Sequence, residues 1–189
     1  VLIHDIIPVS DANGPGKRFV VWAQGCRRRC PGCFNPLTHA RAGTPAGHFS
    51  FPAELSTTEI LARIPADKVT GITVSGGEPF EQPEELRRLL AAARLLGFHT
   101  LVYSGYAYEE LRRLFPACLR HIDILIDGPY LCDIPRTAPW AVSGNQRVFC
   151  LGEGKVIVWD TIFPGAPRGE VLIDKAGGIT ATGIFQLQE

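Results

Sequence analysis

Methionine is absent, net charge is zero, and no apolar run is long enough to cross a bilayer. Each lack excludes something. The 19 basic and 19 acidic side chains cancel, so no global field attracts a polyanion and no nucleic-acid partner is expected. A membrane-spanning helix needs roughly 20 consecutive apolar residues, and none is expected here. Methionine is missing even at position 1, which a Val start codon or a removed initiator would explain. Val1-Leu2-Ile3-His4-Asp5 carries no basic segment and is interrupted by Asp5, so it does not read as a secretion signal. Without one, six cysteines are not expected to form disulfides, and the expected compartment is the reducing cytoplasm.

What is present is ordinary in bulk and unusual in one place. With 189 residues, 46% hydrophobic and 20% charged, the chain suits one domain with a real core. Three of its cysteines fall within eight residues, Cys26-Arg27-Arg28-Arg29-Cys30-Pro31-Gly32-Cys33. Thiolates at C-x3-C-x2-C spacing share a metal, but the fourth ligand is missing nearby. One reading is a zinc site completed by a remote residue, with His39 and His48 the nearest histidines downstream. Another is a four-iron cluster with one iron left open. The scattered Cys118, Cys132 and Cys150 read as small buried hydrophobes, with a second cluster as the lesser alternative.

The rest alternates strands and helices. Residues 1–9 read as an edge strand, Asp11 to Gly16 as a turn, and Arg18 to Ala23 as a β-branched and aromatic strand. Residues 41–53 look irregular. Ser56-Thr57-Thr58-Glu59 is a capping box opening a short helix stopped by Pro65. Lys68 to Ser75 reads as a buried strand running into Gly76-Gly77-Glu78-Pro79. Pro83 then starts a helix with an apolar stripe of Leu86, Leu89, Leu90, Ala93 and Leu96, ended by Gly97. Phe98 to Tyr103 is the next strand, a helix over 108–115 ends at Pro116, and Ile122 to Ile126 is another strand. Short β-type runs follow at 147–151, 155–159, 171–174 and 179–185.

This alternation over 68–127 predicts an α/β fold with a parallel sheet. A closed eight-fold barrel takes about 250 residues, so a partial, open (β/α) barrel over residues 1–150 is expected, with a β-rich C-terminal extension over 151–189. The loops 24–34, 76–79, 104–106 and 127–129 each follow a strand. Parallel strands place all four on one edge, where such folds build sites. Taken alone, Gly-Gly-Glu-Pro is no more than a strand-to-helix turn. Arg27, Arg28 and Arg29 read either as a solvated basic loop or as charge that offsets an anionic cluster and docks an acidic electron donor.

Together, the thiol triplet and Gly76-Gly77-Glu78-Pro79 resemble the radical S-adenosylmethionine (SAM) superfamily. Cys30-Pro31-Gly32-Cys33-Phe34-Asn35-Pro36, Tyr103-Ser104-Gly105-Tyr106, Asp127-Gly128-Pro129-Tyr130 and Gly144-Asn145-Gln146-Arg147 are similar to segments of its subgroup that activates anaerobic ribonucleotide reductase. The resemblance implies that Cys26, Cys30 and Cys33 ligate a [4Fe-4S] cluster whose open iron chelates SAM. Gly76, Gly77 and Glu78 would flank its methionyl end, and Ser104, Gly105 and Asp127 would lie near its ribose and adenine. Asn145 and Arg147 would bind ligand or order a loop. Reductive cleavage of SAM would then generate a radical that takes hydrogen from a glycine of a partner protein, with a flavodoxin or ferredoxin-type electron donor. A radical SAM enzyme acting on another protein, or a zinc- or cluster-stabilised binding module without catalysis, are the alternatives. Many members of the superfamily carry an aromatic residue before the third cysteine, to pack near the adenine. Here it is Gly32, and Phe34 is either its substitute or core.

Overall fold

In the computed structural model the chain runs β1 (Leu2–Ser10), β2 (Arg18–Ala23), β3 (Ala53–Glu54), α1 (Thr57–Leu61), β4 (Gly71–Gly76), α2 (Pro83–Leu95), β5 (His99–Tyr103), α3 (Tyr108–Leu114), α4 (Pro116–Leu119), β6 (Ile124–Asp127) and β7 (Arg147–Cys150), followed by β8 (Ile157–Trp159), β9 (Gly169–Ile173) and β10 (Ile179–Gly183). The structure describes residues 1–40, 53–138 and 140–151, and of the remainder only the strands β8 to β10. The stretch 41–53, expected to be irregular and containing His48, lies outside the described residues except for Ala53, which opens β3.

One mixed sheet of eight strands has the order β3-β1-β2-β4-β5-β6-β7-β8. Its centre, β2 to β6, is parallel, as the strand–helix alternation predicts. Both flanks are antiparallel: β1 on β2, and β7 on β6 followed by β8 on β7. β1 is thus not the edge; β3 covers part of it through two residue pairs. β9 and β10 pair with each other.

Helices α1 to α3 start where the sequence places them, but α1 ends at Leu61, before Pro65. Leu96 of the expected stripe lies past the end of α2 and is exposed. Ser56 accepts from the Glu59 N–H and Glu59 from the Ser56 N–H, closing the capping box of α1. Pro83 is the first residue of α2, and Gly97 follows its end with φ +84°. Pro116 does not simply end a helix: it opens the short α4 directly after α3, because its fixed φ suits a first helical turn.

The strands have two unlike faces. On one, Phe19, Val21, Ile72, Val74, Val102 and Leu125 pack with Leu86, Leu89, Leu90 and Ala93 of α2 in the main core. One residue along, the other face carries a smaller cluster of Leu101, Ile124, Ile126 and Val148 under Ala138, Trp140 and Ala141. Beside it that face turns polar. The Asp11–Gly16 turn folds over it, and the Thr73 hydroxyl donates to the Asn13 carbonyl at 2.7 Å. Arg18, 1% exposed, donates to Thr73 Oγ1 and to the Ile72 and His99 carbonyls. Burial lowers its pKa to about 10, and these acceptors replace the water it has lost. Among the described residues no helix is long and apolar enough to cross a membrane.

Candidate metal and cofactor site

A cavity of about 290 Å³ opens at the C-terminal ends of the parallel strands, on the polar face. Its floor includes Trp22, Ser75 and Tyr103 from β2, β4 and β5. Its rim includes residues of all four strand-end loops: Cys26, Cys30 and Cys33, then Gly76, Gly77 and Glu78, then Ser104 and Gly105, and finally Gly128. Parallel pairing brings these loops together, as the sequence predicts.

The cysteine loop is pinned at its base. Gly25 and Cys26 donate N–H bonds to the carbonyls of Thr38 and His39 at 2.8 and 3.2 Å. The Gln24 amide, 1% exposed, donates to the Leu37 and Ala40 carbonyls. All six cysteines are free thiols. Burial pushes the Cys26 and Cys33 thiols up; a bound metal would reverse that preference by holding them as thiolates. Among the described residues no three His, Cys, Asp or Glu side chains are drawn together as a metal-holding group. His39 also lines the cavity, and its Nε2 is buried without a hydrogen-bond partner.

The Gly-Gly-Glu turn presses on the cysteine loop. Gly77 donates to the Ala23 carbonyl at 2.8 Å and Glu78 to the Gly25 carbonyl at 2.9 Å. Gly76 has φ +100°, and a Cβ at Gly77 would collide with the Gly25 carbonyl. The two glycines are thus needed for backbone to meet backbone. Glu78 is 1% exposed. Its carboxyl accepts from the Gly105 N–H at 2.8 Å, the Ser104 hydroxyl at 3.0 Å and the Phe80 N–H at 3.1 Å. Burial pushes its pKa up to about 7, against the lowering by these donors and by Arg28.

Asp127 is not part of the cavity lining. It is fully buried, and its carboxylate accepts from Arg147 and from the Tyr108 N–H at 2.5 Å. Arg147 also pairs with Glu109, and these carboxylates hold its pKa up. The Asn145 amide donates to the Pro129 carbonyl at 2.6 Å and that of Gln146 to the Gly128 carbonyl at 3.0 Å. This segment orders the fourth loop, the structural alternative that the sequence left open.

Phe34 is 52% exposed, so it is not core; its ring lies 4.9 Å from that of Tyr130, and both line the cavity. Tyr130 and Asn13 were not singled out by the sequence as site residues, yet both line it. Cys118 is buried, Cys150 half-buried and Cys132 exposed. Cys132 lies against Gly32, so it is not the buried hydrophobe expected.

Residues 12–149 match the family described as "4Fe-4S single cluster domain". An anaerobic ribonucleoside-triphosphate reductase-activating protein of Enterobacteria phage T4 is 30% identical over 159 residues, covering 82% of this chain and 95% of that protein. A protein of the same name from Salmonella typhi is 31% identical over 154 residues, 77% of this chain and 96% of its own length. A pyruvate formate-lyase-activating enzyme of Clostridium pasteurianum is 34% identical over 131 residues, 66% of this chain and 50% of that enzyme.

Proposed function

The chain belongs to the 4Fe-4S single cluster domain family, among the radical SAM activating proteins, and from that premise we propose that it installs a glycyl radical on an anaerobic ribonucleoside-triphosphate reductase. Its cofactors are a [4Fe-4S] cluster and SAM. When bound, they supply a one-electron reductive cleavage whose product takes a hydrogen atom from a glycine of the partner protein.

The observation that carries this reading is the meeting of four strand-end loops around three free thiols. In type and number three thiols suit a cluster with one iron lacking a protein ligand, whose binding would draw them together. In this reading Cys26, Cys30 and Cys33 hold the other three irons. Gly76 and Gly77 offer bare backbone to the methionyl end of SAM, and Glu78 fastens that backbone to Ser104 and Gly105. Phe34 and Tyr130 offer the adenine the aromatic face that Gly32 lacks. Asp127 acts at one remove, by holding Arg147 and the start of α3. The neighbouring loops position the reacting groups and shed water from around them.

The antiparallel flanks around a parallel centre support reading the sheet as an open, partial barrel. β9 and β10, paired with each other, support a separate C-terminal extension beyond about residue 150, although β8 continues the main sheet. A flavodoxin or ferredoxin-type donor and a reducing cytoplasm complete the reading.

Anaerobic reconstitution tests it. The expected product is a brown protein with about four irons per chain. Under reduction with SAM it should form 5′-deoxyadenosine and raise a glycine-centred paramagnetic signal on the reductase. A colourless protein that retains one zinc and leaves SAM intact would overturn it and favour the zinc reading, for which His39 offers a nitrogen among the described residues.

A further inference from the structure

The arginine triplet between the first two thiols is divided by the fold. Arg27 turns outward: its side chain is 80% exposed, its N–H donates to Glu81 at 2.5 Å, and its guanidinium lies 3.7 Å from the same carboxylate. Arg29 is exposed, with φ +45°. Arg28 turns inward. It is half-buried and lines the cavity. Its guanidinium carbon lies 4.6 Å from the Tyr106 ring centroid. Its Cδ and Nε fill the space a side chain at Gly105 would need. No other lysine or arginine lines the cavity among the described residues.

Two consequences follow. Tyr106 accepts the Gly128 N–H through its carbonyl at 3.0 Å, so Arg28 ties the cysteine loop to the third loop and, through it, to the fourth. It also places a permanent cation in the cavity that holds the three thiols. Reduction of a cluster bound by three thiolates adds negative charge there, and a nearby cation favours the reduced form. Stacking on an aromatic face holds the cation in place with no salt bridge among the described residues, although the buried Glu78 carboxyl lies near enough to feel its charge.

Resting on the cluster reading above, we propose that Arg28 is a positioning residue that makes the cluster easier to reduce, whereas Arg27 and Arg29 do not share this role. The step is the transfer of one electron from an external low-potential reductant, for which dithionite serves as the probe; no bond in the protein forms or breaks.

The test is an anaerobic spectroelectrochemical titration of the reconstituted protein without SAM. Arg28→Gln should lower the reduced-to-oxidised ratio at a given potential by roughly tenfold, equivalent to about 59 mV for one electron. Arg28→Lys, which keeps the charge, should recover most of that shift. Arg29→Gln should titrate like the wild type. An unchanged midpoint in Arg28→Gln, or an equal shift in Arg29→Gln, overturns the proposal. A shift in Arg28→Gln that Arg28→Lys does not recover also overturns it, since loop disturbance rather than charge would then be the cause. A wild-type protein that assembles no cluster chromophore overturns the reading beneath it, and the two failures are thus told apart.

Discussion

On the helix side of the sheet, Ile72, Val74, Val102 and Leu125 are buried in one apolar core with α2. One residue along the same strands, Thr73, Ser75 and Tyr103 face a buried arginine, a folded-over turn and a 290 Å³ cavity. The period of two that separates these faces also separates their tasks. The apolar face gains stability from every methylene it hides. The other face spends part of that stability on buried polar groups and open space. The contrast implies that a substitution on one face should leave the property of the other intact.

The largest expected effect is on the cavity side. Cys30→Ala should abolish formation of 5′-deoxyadenosine, yet leave the thermal midpoint of the cluster-free protein unchanged, because Cys30 lies in a loop outside the core. Wild-type turnover in that variant would remove the cluster assignment. Next comes Leu89→Ala on the helix side. Leu89 is fully buried, and truncation should cost about 2–5 kcal/mol in urea unfolding. SAM cleavage per assembled cluster should stay at the wild-type rate where the protein remains folded. A loss of that rate would show that the two faces are coupled.

The helix side was the more legible of the two. The stripe of Leu86, Leu89, Leu90 and Ala93 and the β-branched runs gave α2 and the parallel strands directly, because hydrophobic periodicity reports burial. On the other side, spacing marked the thiols, the Gly-Gly-Glu turn and the convergence of four loops. It did not reveal that Gly77 makes room for the Gly25 carbonyl, that Arg28 turns in while Arg27 turns out, or that Asp127 is bound to Arg147. Those are contacts between residues far apart in the chain, for which a local pattern carries no signal. One clue was available: Arg18 and Thr73 interrupt otherwise apolar strands, as side chains on a polar inner face must.

Acidity should separate the sides further. Glu78 has its pKa raised by burial to about 7. Its contribution to stability is fully present below its unfolded value of about 4.5 and is lost as pH rises through about 7. The cluster-free protein should therefore lose on the order of 1–3 kcal/mol between pH 5 and 8 relative to Glu78→Gln, in which this group does not titrate. Urea unfolding of both proteins at the two pH values measures the difference. Parallel pH profiles would show that the three donors around Glu78 outweigh its burial.

The smallest effect belongs to the cap of α1 and has the opposite pH sign. Glu59 accepts from Ser56 Oγ at 2.7 Å and from the Ser56 N–H at 2.8 Å, and these bonds hold its pKa below the ordinary value. Its contribution is present above about 4.5 and is lost as pH falls through the lowered folded value. Ser56→Ala should cost about 1 kcal/mol at neutral pH, with less difference from wild type as the pH falls below the ordinary carboxylate range. Only Ile60 of α1 is buried, and it sits in the helix-side core. The loss should therefore stop at the sheet, and SAM affinity of the reconstituted variant should match wild type. An affinity that fell with the cap would mean that strain crosses the strands, and that the two faces share one rigid unit rather than dividing stability from chemistry.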